Sequence, residues 1–129
     1  MSTKIAREVR KLRNGMNPQT PLLLDEQVLF SEVCTVKAKG SHVESLVAVT
    51  SQRLLIEPWK KRAAHGILAV PYNEIISFYK KPSVSAAGVL TNKYLVVETE
   101  KCNIFILTQK RTADQIIAHL QYFTGKKCN

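Results

Sequence analysis

The chain has 129 residues, with 19 Lys and Arg against 10 Asp and Glu, for a net charge of +9. That length supports one domain with a real core, and no apolar run approaches the ~20 residues of a membrane-spanning helix. Cys34, Cys102 and Cys128 are odd in number and lack paired spacing, which argues against a disulfide framework or a zinc site. A cationic surplus of this size favours polyanionic partners: an anionic membrane leaflet, a phosphorylated headgroup, nucleic acid or an acidic protein face. Met1-Ser2-Thr3-Lys4-Ile5 lacks the apolar core of a secretion signal and has no Gly at position 2 for myristoylation, so a cytoplasmic, reduced chain is expected.

Residues 1–24 read as a basic entry segment. Ile5, Val9 and Leu12 recur at helical spacing, with Arg7, Arg10 and Lys11 between them, which predicts a short basic amphipathic helix ended by Asn14-Gly15. Such a helix needs a surface to lie on: the domain itself, a partner or a membrane. Asn17-Pro18-Gln19-Thr20-Pro21 is a linker, and Leu22-Leu23-Leu24 is expected to pack against the domain edge.

Residues 25–125 then read as the domain, and 126–129 as a basic tail. Short apolar runs closed by turn chemistry predict strands near 27–37, 43–50, 52–57, 67–70, 75–80, 90–98 and 103–108, with 81–89 as a loop. Thr112-Ala113-Asp114-Gln115 fits a capping box, and Ala113, Ile116, Ile117 and Leu120 form one apolar stripe of a last helix that Gly125 stops. A bent antiparallel sheet or open barrel has two open ends, and a terminal helix can plug one of them.

This plan resembles the pleckstrin-homology-like superfamily, through Val49-Thr50-Ser51-Gln52-Arg53-Leu54-Leu55-Ile56 and Val70-Pro71-Tyr72-Asn73-Glu74-Ile75-Ile76-Ser77. The GRAM and bacterial PH-like branches are the most similar. The resemblance implies a mainly β fold, a seven-stranded bent antiparallel sheet capped by a C-terminal helix. It also implies a binding module or adaptor with no catalytic residues and no cofactor. Phosphoinositide-specific members pair an early Lys in the first loop with an Arg in the second strand. Here Lys37 and Lys39 match the first half, but His42-Val43-Glu44-Ser45 offers no Arg.

In a simple meander, the connections after strands one, three and five share one end of the sheet. They carry Lys37, Lys39 and His42, then Lys60, Lys61 and Arg62, then Lys80 and Lys81, which makes that end the expected anion-binding surface. The connection after strand six lies at that end in many such folds, and Glu98 and Glu100 would then dilute the charge. Trp59, the only Trp, sits beside Pro58 and the Lys-Lys-Arg run, as suits a membrane interface. The other reading of Trp59 is that it folds back over the barrel edge.

Peripheral attachment to anionic phospholipid or phosphoinositide headgroups is therefore the leading reading. The alternative is a protein-interaction module that uses the basic end, or segment 4–13, against an acidic or helical partner. Nucleic acid comes third, through Tyr72, Phe78, Tyr79, Tyr94 and Phe105 on or beside basic strands. His42, His65 and His119 are too far apart to suggest a metal site, and no nucleophile elbow or phosphate-cradling loop occurs, so an enzyme is not expected.

Overall fold

In the computed structural model, residues 17–40, 42–59, 66–84 and 90–129 are described. The predicted basic helix over Ile5–Leu12 and the Lys60-Lys61-Arg62 run lie outside them. Seven strands form one antiparallel sheet: β1 (Val28–Lys37), β2 (His42–Thr50), β3 (Arg53–Pro58), β4 (Leu68–Pro71), β5 (Ile75–Val84), β6 (Leu90–Thr99) and β7 (Asn103–Thr108). A single 3-10 turn, Tyr72–Glu74, links β4 to β5, and α1 (Lys110–Thr124) ends the domain. The strand order is β4-β3-β2-β1-β7-β6-β5, so two hairpin stacks join where β7 pairs with the C-terminal part of β1.

Alternation sorts the side chains into two faces. Cys34, Val36, Val47, Val49, Leu54, Ile56, Phe78, Leu95, Val97, Ile104 and Ile106 point into one buried cluster, which Ala113, Ile116, Ile117 and Leu120 of α1 complete. Phe123 stacks on Tyr72 with ring centroids 4.8 Å apart. Helix α1 therefore closes the inner face of the sheet with the stripe read from sequence. The opposite face carries the alternate residues, among them Lys37, Tyr79, Lys81, Tyr94, Val96 and Phe105.

Three local expectations are corrected. Strand β5 runs on to Val84, through Pro82. The Phe78 carbonyl accepts a bond from the Asn129 N–H at the free edge of the sheet. By alternation Pro82 also turns its backbone to that edge, where a missing N–H costs no ladder bond. Helix α1 starts two residues before Thr112, with Gln109 at the N-cap and no side-chain cap. Thr112 is its third residue and donates instead to the Glu32 carboxylate on β1, so tertiary contact takes the hydroxyl that a capping box would use. Gly125, in the left-handed region at φ +70°, ends the helix as expected. Finally, Leu22, Leu23 and Leu24 are exposed by 43%, 52% and 87%. The linker is held by its backbone: Glu57 accepts bonds from the Gln19 and Thr20 N–H groups, at 2.7 and 3.0 Å.

Candidate functional site: the loop end of the sheet

Pairing register fixes which connections meet. Cys34 lies opposite Ser45, and Ser45 opposite Pro58, so the β1–β2 and β3–β4 connections leave the sheet at the same end. The Trp59 N–H donates to the Glu44 carbonyl at 2.8 Å and prolongs that pairing by one residue. Trp59 is half-buried, while Lys37, Lys39 and His42 are exposed. Gly40 takes φ +99°, a conformation that allows the short β1–β2 connection to reverse. Neither Lys37 nor Lys39 forms an ion pair among the described residues.

Strand β7 runs antiparallel to β1, with Thr35 opposite Leu107 and Lys37 opposite Phe105. The β6–β7 turn therefore lies at the Lys39 end as well. Thr99 builds this turn: its hydroxyl donates to the Cys102 carbonyl at 2.7 Å, and the Cys102 N–H returns to that hydroxyl at 3.1 Å. Lys39, Ile67–Val70, Glu74 and Thr99–Cys102 line a cleft of about 190 Å³. Lys101 approaches Glu74 at 4.0 Å across it. Among the described residues at this end, Glu44, Glu74 and Glu100 thus offset Lys37, Lys39 and Lys101.

The expected grouping of Lys80 and Lys81 with this end is corrected. Lys93 of β6 pairs with Thr108 at the far end of β7, so the β5–β6 hairpin points away from the Lys39 loop. The two stacks are joined through β7 and β1, which inverts the meander alternation for the second stack. Lys80 pairs with Asp114 on α1. Lys81, on the other face, lies directly opposite Tyr94.

A denser polar cluster sits at the opposite end, around the Thr50-Ser51-Gln52-Arg53 turn. The Arg53 guanidinium donates to both carboxylate oxygens of Glu26, at 2.9 and 3.1 Å. The Thr50 hydroxyl and the Leu23 N–H add bonds of 2.6 and 2.8 Å to the same carboxylate. The Tyr72 hydroxyl donates to the Thr50 carbonyl at 2.6 Å. Burial pushes the Glu26 carboxyl up, but the bonds from Arg53, Thr50 and Leu23 outweigh it and hold its pKa below the ordinary value. Among the described residues no buried side-chain nitrogen or oxygen lacks a partner, which marks the cluster as structural.

The strand bounds 43–50 and 52–57 locate the Thr50 turn in the sequence, but nothing there points to Glu26. Its neighbour Asp25 turns the chain, at φ +61°. The partnership of Glu26 with Arg53 spans 27 residues, a separation at which no local pattern operates. Among the described residues no group of His, Cys, Asp and Glu is placed to hold a metal ion. No described helix is long and apolar enough to cross a membrane. The buried Cys34 thiol is pushed up to about 11, chiefly by burial, which keeps it protonated and unreactive at neutral pH.

Neither a family model nor a curated protein matches this sequence. Solved structures do. The C-terminal domain of an unknown protein from Leishmania infantum superposes with a TM-score of 0.62 at 20% identity, covering 94% of this chain and 99% of that one. The hSac2 domain from human phosphoinositide phosphatase Sac2 superposes with a TM-score of 0.57 at 11% identity, covering 96% of this chain and 83% of that one. The fold is pleckstrin-homology-like. At these identities the likeness concerns the fold alone.

Proposed function

We propose that this chain is a non-catalytic binding module that attaches peripherally to anionic membranes through the loop end of its sheet. The observation that carries this reading is the shared end of two connections. Exposed Lys37 and Lys39 stand at the same end of the sheet as Trp59, and the sequence continues from Trp59 into Lys60-Lys61-Arg62. A half-buried indole beside cations suits the headgroup region, where the ring finds an amphipathic boundary. The three cations of Lys60-Lys61-Arg62, at about 1 kcal/mol each, contribute about 3 kcal/mol, which corresponds to weak, millimolar, reversible binding.

Glu74 and Glu100 beside Lys39 favour recognition of surface charge over one multiply phosphorylated headgroup. The Val49–Ile56 and Val70–Ser77 motifs support, in our reading, an affiliation with the GRAM or bacterial PH-like branch. One structural neighbour is a domain of a phosphoinositide phosphatase, a fold-level analogy that is compatible with a lipid surface.

Sedimentation with phosphatidylcholine vesicles containing phosphatidylserine tests the reading. Binding is expected at low salt and is expected to fall away as salt screens the cations. Reversing Lys60 and Lys61 together to Glu should abolish it, and Trp59→Ala should weaken it several-fold. Absence of binding to acidic vesicles at low salt would overturn the proposal.

A second reading, a protein-interaction module of the same fold, is favoured by one observation. Ile67, leading into edge strand β4, is 57% exposed, and Ile76, on edge strand β5, is 55% exposed. Apolar side chains beside free strand edges suit addition of an extended peptide. Stoichiometric partner binding that ignores acidic vesicles would select this reading.

A further inference from the structure

The outer face of the sheet carries a feature that the loop end does not explain. His42 on β2 and Tyr94 on β6 exchange a hydrogen bond between imidazole Nε2 and the phenol oxygen, at 3.0 Å. Strands β1 and β7 lie between them in the sheet. Three strand spacings of about 4.8 Å separate the two backbones by ~14 Å. The side chains meet only by lying down across the intervening strands. Their ring centroids are 6.1 Å apart and their planes incline by 29°, so the rings lie side by side in nearly parallel planes.

Phe105 meets Tyr94 edge-on, with centroids 6.2 Å apart and planes at 85°. It props the phenol ring against the sheet. The result is a two-ring shelf whose outer member, His42, is exposed. Two lysines stand beside it, one on β1 between the strands of the two rings and one on β5 beyond Tyr94. Lys37 lies opposite both His42 and Phe105, and Lys81 lies opposite Tyr94. Both lysines are exposed, and neither forms an ion pair among the described residues.

An aromatic pair with two exposed cations beside it suits planar bases joined by phosphates. We propose that the His42–Tyr94 shelf, with Lys37 and Lys81, binds a short stretch of single-stranded nucleic acid, one base stacking on the rings and its flanking phosphates meeting the lysines. Rings on a sheet face stack on any base, because every base offers a π-face, so the expected binding is tolerant of sequence. A duplex hides those faces in its own stack and is expected to bind poorly. A lipid headgroup offers no planar aromatic face to stack on the shelf, so this surface is separate from the loop end proposed for membranes. Lys37 stands at the border of the two, and the variants below avoid it.

Fluorescence anisotropy with a labelled ten-nucleotide oligothymidylate, titrated with the full chain at several salt concentrations, tests the proposal. Two phosphate contacts predict a log–log salt slope of about −1.4, and Lys81→Ser should bring it to about −0.7. His42→Ala and Tyr94→Leu should each weaken binding by about fivefold or more, the loss of a stacked base. Tyr94→Phe keeps the ring and should stay within about twofold of the parent. His42 is exposed, so its variant reports on the shelf even if Tyr94→Leu destabilises the sheet; thermal unfolding of each variant identifies that case. Equal affinity for the duplex of the same length, wild-type affinity in His42→Ala, or no binding at low salt would overturn the proposal. Acidic-vesicle binding by Lys81→Ser is expected to remain intact. Failure there would count against the membrane reading's confinement to the loop end, whereas failure in the anisotropy arm counts only against the shelf.

Discussion

The two ends of this sheet are built on opposite principles. At the Thr50 end, a fully buried Glu26 side chain and an Arg53 side chain exposed by 12% join β3 to the chain entering β1 through matched, charge-assisted bonds. At the Lys39 end, the nearest ion pair is Lys101 with Glu74, 4.0 Å apart with Lys101 86% exposed. One end uses Glu26 and Arg53 to hold the chain together. The other keeps Lys37 and Lys39 in water, where a partner can use them. Charge in a sequence therefore says little about binding until the structure shows which charges are already paired.

The contrast is sharpest in stability. Arg53→Met removes one member of the buried pair and should destabilise the fold by about 3 kcal/mol, the low end for such pairs because Thr50 and Leu23 still reach Glu26. Lys39→Ala should stay within about 0.5 kcal/mol, as for an ordinary surface position. Urea denaturation of both variants checks the difference; equal effects would erase the distinction between the ends.

Acid should weaken the Thr50 end first. The folded-state pKa of Glu26 lies below its ordinary value of 4.5, so its contribution is fully present above that value. It is then lost as pH falls through the folded pKa, because only the unfolded chain takes up the proton readily. Denaturation midpoints measured from pH 6 downward should show this loss, and Glu26→Gln should flatten that part of the profile while lowering stability at neutral pH. A steeper acid profile in Glu26→Gln would contradict the assignment.

The smallest effect is expected at Lys80. Its pair with Asp114 ties β5 to α1 but is partly open to solvent, with side chains exposed by 30% and 46%. Lys80→Ala should cost at most about 1 kcal/mol and leave vesicle binding unchanged, since the residue lies away from the loop end. Weakened vesicle binding would restore the wider basic surface expected from the meander.

The seven strands, the terminal helix and its buried stripe, and the Thr50 turn were legible in the sequence because each rests on local chemistry. Alternation, a 3.6-residue period and turn residues act over a few positions, and they imposed the pleckstrin-homology-like plan. What tertiary structure alone decided were relations across long separations. The closure of β7 on β1 reversed the second hairpin stack and moved Lys80 and Lys81 off the loop end. Glu32 on β1 drew Thr112 from its expected capping role, across 80 positions. Glu26 met Arg53, and His42 met Tyr94 across two strands. The residues determined what each segment could become; only the order of the strands determined which of their charges and rings would stand together, because that order sets contacts between positions with no shared local pattern.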